Sequence, residues 1–181
     1  LSAVDYGLLK GVIKAMKWFY LRMAVLLFII YSTLGTYYVY SLLNGYSGDE
    51  TEVYISWAIL CVIISYNLYT LYYDSLLIGK GLIKKSKQIL IVGHILYLIT
   101  AAVLIVLGYG LIAIVSAQAI SVFVIRWLSF NAFFTKEVLG KMAKVKSKSK
   151  KEILKAIYPN AVKIGLTSLG GFMVNKSAII I

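Results

Sequence analysis

The sequence predicts an all-α protein, a polytopic bundle of transmembrane helices, and three observations predict it. Of its 181 residues, 61% are hydrophobic and only 14% are charged, far from the balance of a soluble domain. The apolar residues fall in runs of about 20, the length that crosses a hydrocarbon core ~30 Å thick at about 1.5 Å of helix rise per residue. The cations cluster between these runs on alternate sides. The same composition excludes a soluble enzyme, a disordered chain and a collagen-like repeat. Cys61 is the single cysteine and sits inside an apolar run, so the chain holds neither a disulfide framework nor a CxxC metal site. Leu1 is not an initiator methionine and the last apolar run is still open at Ile181. The expectation is an internal piece of a longer polypeptide.

Residues 1–22 are too charged to span. Leu8, Leu9, Val12, Ile13, Met16 and Phe19 recur at helical spacing, with Lys10, Lys14 and Lys17 on another face, the pattern of an amphipathic helix at a membrane surface. Polar bounds then mark four spans at 23–44, 54–79, 88–108 and 111–130, within a four-helix segment 23–131. A fifth run starts near Val162, giving 161–181 as the beginning of a further helix. Gly108-Tyr109-Gly110 is the only break between the third and fourth spans. Two glycines permit a tight reversal, so those spans are expected to be antiparallel neighbours.

Charge sets the orientation. Four cations lie in 1–22, four in 80–87 and eight in 136–155, while the intervening loops have none and the first of them carries Asp49, Glu50 and Glu52. Short cytoplasmic loops are enriched in Lys and Arg, so all three basic segments are expected inside. The net charge of +12 is thus topological, and no nucleic-acid partner is expected. Residues 132–160 read as a basic cytoplasmic linker. Within it, Ser149-x-x-Glu152 forms a capping-box pattern ahead of Ile153, Leu154, Ile157 and Tyr158, and Pro159 ends the short helix so begun. The linker lysines are expected to meet anionic membrane lipids, at about 1 kcal/mol each.

No catalytic constellation is present. There is no HExxH, P-loop, GxSxG or paired-carboxylate pattern, and no metal, cofactor or enzymatic activity is expected. Polar residues within spans are costly in lipid, so each is a candidate for an aqueous pathway or an interhelical contact. Asn67, Thr70 and Asp74 share one helix face, flanked by Tyr66 and Tyr73. Asp74, the only carboxylate inside a span, is either a coupling-ion site or the partner of Lys80 or a linker lysine. Tyr66 and Tyr69 are cavity candidates at mid-depth. Thr33, Tyr37, Tyr40, Ser41 and Asn44 fit an aromatic belt. His94 is either an interhelical hydrogen-bonder or a weak coupling-ion candidate. Ala113, Ala117 and Ser121 form a small-residue ridge for close helix contact. Arg126 is near enough to the inner end to snorkel. Lys176 lies 13 residues past Lys163, about 20 Å of helix rise, and so beyond the bilayer centre if Lys163 is at the inner surface. There it needs water or an anion, or else snorkels outward.

Several of these residues also carry a family resemblance. The run Lys151-Glu152-Ile153-Leu154, through Tyr158-Pro159-Asn160-Ala161-Val162-Lys163-Ile164-Gly165-Leu166, to Gly170-Gly171-Phe172 resembles the linker and seventh helix of bacterial polysaccharide flippases. These belong to the multidrug/oligosaccharidyl-lipid/polysaccharide exporter superfamily. Tyr72-Tyr73-Asp74-Ser75-Leu76-Leu77-Ile78-Gly79-Lys80-Gly81 and Gly108-Tyr109-Gly110-Leu111 are similar to it too. The resemblance covers nearly the whole chain, as helices three to six, the interlobe linker and the start of helix seven.

It implies a two-lobe transporter of six plus six or more helices in the bacterial plasma (inner) membrane. Such a transporter flips lipid-diphosphate-linked oligosaccharide by alternating access, with a second lobe supplied by the remainder of the same chain. Cavity cations would bind the diphosphate, and Lys176, Lys163 and Arg126 are the candidates here, with Tyr66, Tyr69 and Asn67 as further substrate-binding candidates. The alternatives are a membrane glycosyltransferase or polymerase of surface polysaccharide, or a drug exporter of the same superfamily. An exporter of cations calls for acidic cavity residues, and a polymerase for a large outer loop.

The orientation is directly testable. In a Cys61→Ser background, a cysteine at Ser47 is expected to react with an impermeant maleimide from outside the cell and one at Ser147 is not. The opposite labelling would reverse the topology.

Overall fold

The computed structural model describes residues 5–147 together with 149, 153 and 155. Within them the order is α1 (Tyr6–Ile30), a π-helical turn (Tyr31–Gly35), α2 (Thr36–Leu43), α3 (Glu50–Thr70), α4 (Tyr72–Gly79), α5 (Ile83–Val106), α6 (Gly110–Phe133) and α7 (Lys136–Ala143). Four continuous helical stretches are long and apolar enough to cross a membrane: Tyr6–Leu43, Glu50–Gly79, Ile83–Val106 and Gly110–Phe133. The protein is a multi-pass membrane protein with an all-α fold. Each expected span falls on one of these stretches, 54–79 and 111–130 lying wholly inside, while 23–44 and 88–108 run one and two residues past the helix ends at Leu43 and Val106.

Two boundaries differ from expectation. The amphipathic stretch 1–22 and the first span are not separate helices, because α1 runs unbroken through residues 22 and 23. Its 38-residue stretch, α1 to α2, is about 57 Å of helix, roughly twice what the core requires. The break comes later, at the π-helical turn. There the Thr33 hydroxyl donates to Ile29 O at 2.7 Å, occupying the carbonyl its own N–H would use, and the ladder slips. The second difference is α7, a helix within the segment 132–160, where the sequence predicts a basic linker with a helix only after Ser149. Thr135 starts it, accepting from Val138 N at its hydroxyl and Leu139 N at its carbonyl, an N-cap that Thr135 followed by Glu137 in the first turn could have signalled.

The chain divides into two units, Met16–Gly140 and the two ends Leu1–Ala15 with Lys141–Ile181. In the second, Asp5 caps α1 by accepting from Gly7 N and Leu8 N. Lys10 does not stand free on a polar helix face. Its ammonium donates to Met142 O at 3.0 Å and Val145 O at 3.1 Å, satisfying carbonyls that the end of α7 leaves open. Ile153 is buried and its N–H reaches Ser149 O at 3.3 Å. Glu152, the other half of the expected capping box, and residues 156–181 lie outside the described residues.

The larger unit is built on α6. Its ridge Ala113, Ala117 and Ser121 is buried as expected and faces α5, where the Ser121 hydroxyl donates to Gly93 O at 2.8 Å. Gly93 permits this approach, since a Cβ there would overlap Ile125. The hairpin between them closes at Gly108 (φ 86°) and Gly110 (φ 47°), a left-handed conformation that favours glycine. On its other side α6 meets α3 along a seam of Ile63, Val115 and Val122, with Ile59, Leu60 and Ala119 packed against it.

The polar contacts along this seam fix its direction. At the acidic end, the Glu52 carboxylate accepts from Leu111 N at 2.6 Å and Ile112 N at 3.3 Å. A side chain on α3 thus caps α6, in the role of an N-cap and with the charge that a helix N-terminus favours. Asn67 meets Arg126 further along. Both contacts join residues 59 apart in sequence, so α3 and α6 run parallel in one register over 15 residues, about 22 Å. The first span is antiparallel to the second, with Tyr20 against Tyr72 at one end and the Trp57 indole donating to Thr36 Oγ1 near the other. The four spans therefore alternate in direction, as the charge pattern requires.

The α5–α6 contact generates a prediction. Gly93→Val is expected to destabilise the protein by about 1–3 kcal/mol through overpacking against Ile125, and Ser121→Ala by less than about 1 kcal/mol. Thermal unfolding in detergent measures both, and equal effects would contradict the close-approach role of Gly93.

Candidate functional site

Two of the charged residues singled out in the sequence, Asp74 and Arg126, meet at the lysine-bearing end of the α3–α6 seam. Arg126, on α6, is 5% exposed. A guanidinium in that position needs an anion and acceptors for its N–H groups, and α3 and α4 supply them. Nη1 donates to Asp74 Oδ2 at 2.6 Å, while Nε and Nη2 both donate to Asn67 Oδ1, at 3.1 and 2.5 Å. One helical turn beyond Arg126, the Ser129 hydroxyl donates to Asp74 Oδ1 at 3.3 Å. The result is a charge-neutral cluster of four side chains in which both carboxylate oxygens are engaged.

Helix geometry explains how this sequence builds it. Arg126 and Ser129 are three apart on α6, and Asn67 and Asp74 seven apart on the second span, so each pair lies on one helix face. The α3 face carrying Ile59, Leu60 and Ile63 continues to Asn67, and the α6 face carrying Val115, Ala119 and Val122 continues to Arg126. The apolar seam ends in the ion pair.

This arrangement corrects two expectations. Asp74 does not pair with Lys80, whose ammonium instead lies 5.7 Å over the Phe133 ring. Arg126 does not snorkel; it is buried and salt-bridged to Asp74. Ser129 was not foreseen, and neither was the Glu52 cap. A signal for the ion pair was available, because Asp74 and Arg126 lie at similar distances from the lysine-rich ends of their own spans.

Residues next to Asp74 and Ser129 in sequence form a cluster of rings. Tyr72 is buried and meets Tyr20, Tyr69 and Tyr73, while Tyr73 stands edge-on to Phe130 and Phe134. Tyr69 is half-buried in this group, and Tyr66 is exposed. Thr70 hydrogen-bonds back to its own helix. His94 is exposed on α5, and among the described residues no hydrogen bond or ion pair joins it to Asp74. The two coupling-ion candidates are not brought together. Among the described residues, no three His, Cys, Asp or Glu side chains converge on a point where a metal could bind. Lys163 and Lys176 lie outside the described residues.

Comparison of the chain with protein-family models, curated proteins and solved structures gave no match.

The assignment of partners is testable by stability. Lys80→Met is expected to cost less than about 1 kcal/mol, the scale of an exposed cation–π contact. Asn67→Leu is expected to cost about 1–3 kcal/mol, because it removes an acceptor from a buried charged donor. Thermal unfolding in detergent distinguishes them, and a Lys80 effect as large as that of Asn67 would contradict the arrangement.

Proposed function

We propose that this chain forms part of a bacterial plasma-membrane transporter that flips lipid-diphosphate-linked oligosaccharide by alternating access. The proposal rests on the resemblance to polysaccharide flippases in 72–81, 108–111 and 151–172, and one structural observation supports it over a cation exporter of the same superfamily. Beyond Glu50 and Glu52 in the first turn of α3, Asp74 is the only carboxylate within the four spans, and both of its oxygens are engaged by Arg126 and Ser129. A cationic cargo would find no unpaired carboxylate there, whereas the cations that the resemblance assigns to the cavity, Lys176 and Lys163, suit an anionic diphosphate. The links between spans also favour transport over polymerisation. Six residues separate α2 from α3 and three separate α5 from α6, too few for a catalytic domain.

In this reading Lys176, Lys163 and Arg126 bind the diphosphate, and Tyr66, Tyr69 and Asn67 are further substrate-binding residues. The basic segments hold anionic lipid headgroups, and a second lobe of the same polypeptide completes the cavity. Because Arg126 is engaged by Asp74, Lys176 carries the larger share of substrate binding.

Surface polysaccharide in a flippase-deleted strain, complemented with the whole gene that encodes this chain, tests the proposal. Complementation is expected to restore the polysaccharide. Lys176→Ala is expected to abolish restoration at matched abundance, and Lys176→Arg to keep part of it because the charge survives with altered geometry. No restoration by the unmodified gene, with the protein present in the membrane, would contradict the function. Full activity of Lys176→Ala would remove that lysine from the site.

A further inference from the structure

The second span stays helical in backbone throughout, with Leu71 at φ -58° and ψ -28°, but its α-helical hydrogen-bond ladder is interrupted between the two residues that hold Arg126. α3 ends at Thr70 and α4 begins at Tyr72. The cause is visible in the hydrogen bonds. The Thr70 hydroxyl donates to Tyr66 O at 2.8 Å and to Asn67 O at 3.3 Å. Asn67 O is the acceptor that Leu71 N–H would use in an unbroken α-helix. Leu71 N–H turns instead to Leu68 O at 3.2 Å, and Asp74 N–H to Leu71 O at 3.2 Å. Two tighter three-residue bonds thus replace the regular ladder, the kind of side-chain intrusion that bends or loosens a helix.

Asn67 lies on the α3 side of this interruption and Asp74 on the α4 side. One guanidinium holds both, with Nε and Nη2 on Asn67 and Nη1 on Asp74. A guanidinium buried in this way needs further acceptors beside its carboxylate, and these could all come from one side of the interruption. This guanidinium grips the span above and below its weakest point, and Ser129 adds a second hold on the α4 side. Beyond the interruption α4 carries Tyr72, Leu76 and Leu77 into the bundle and leads to Lys80.

We propose that Leu71 is a hinge in the second span and that Arg126 is its latch, fixing α4 relative to α3 by holding Asn67 and Asp74 at once. With the latch closed, the lysine-bearing end of the span has one position. With it open, α4 pivots about Leu71 while the hairpin of α5 and α6 stays intact. Hinges of this kind are a few element-terminal residues that absorb backbone change. The inference holds whatever the cargo.

Spin labels placed on either side of the hinge test it in the full chain, reconstituted in lipid with Cys61 replaced by serine. Ile55 on α3 and Ile78 on α4 are exposed positions, and so are Ile91 on α5 and Leu111 on α6, which serve as the reference pair within the hairpin. In the otherwise unmodified protein both pairs are expected to give a single narrow distance distribution by double electron–electron resonance.

Arg126→Leu is expected to broaden the Ile55–Ile78 distribution at least two-fold and to leave the Ile91–Leu111 pair unchanged. The Asp74→Leu/Arg126→Leu double variant removes the isolated buried charge, so it folds without that penalty, and it is expected to stay broad across the hinge. A narrow, unshifted Ile55–Ile78 distribution in the double variant would overturn the latch. Equal broadening of the reference pair would overturn the hinge, because the loosening would not be confined to Leu71.

Discussion

A guanidinium enclosed by apolar helices sets the terms for everything around it. The idealised penalty for taking one unpaired ion from water into a medium of low dielectric is of order 20 kcal/mol, and several kcal/mol remain after relaxation. Arg126 is 5% exposed, so its position is tenable only with a carboxylate and acceptors in the same place. Asp74 and Asn67 meet that demand, and in doing so they fix which face of the second span meets which face of the fourth. The apolar seam of Ile63, Val115 and Val122 tolerates small slips in register, whereas the ion pair does not.

The same logic operates at the other end of that seam. The first N–H groups of α6 lack partners within their own helix, and the Glu52 carboxylate accepts two of them from α3. Helices α3 and α6 are therefore held by charge at both ends and by apolar packing between. The α5–α6 contact follows a different principle, in which small residues let backbones approach and a serine hydroxyl meets a glycine carbonyl. The first span depends least on these contacts, with only 6% of its apolar window buried. Its links to the second span are aromatic contacts and the Trp57–Thr36 hydrogen bond.

Much of this architecture was legible in the sequence. Runs of about 20 apolar residues gave the spans, the lysine asymmetry gave their alternation, and Ala113, Ala117 and Ser121 gave the ridge on α6. Three features were not legible, two because they depend on a contact between distant segments or a local hydrogen bond that periodicity does not encode, and one because the backbone need not follow a change in polarity. Arg126 looked like a snorkelling cation because its distance from the end of its own helix allows that. Only the register with α3, set over the whole seam, brings it to Asp74. The continuity of α1 through residue 22 was hidden because a change from amphipathic to apolar character does not require a change in backbone. The interruption at Leu71 was hidden because Thr70 in an apolar run has no period of its own, and its effect lies in which carbonyl its hydroxyl takes. For the candidate site, Asn67 and Asp74 were correctly placed on one face. Their partner was assigned by nearness in sequence and not by depth.

The central claim is that Asp74 and Arg126 stabilise one another across the second and fourth spans. A double-mutant cycle of Asp74→Leu, Arg126→Leu and the double variant, read by reversible unfolding in bicelles, measures it most directly. Each single variant leaves a buried charge unpaired and is predicted to lose about 3–5 kcal/mol, while the double variant recovers most of that loss. The predicted coupling is therefore at least about 3 kcal/mol. Additive effects, with the double variant losing the sum of the two singles, would show that the residues do not interact and would contradict the account.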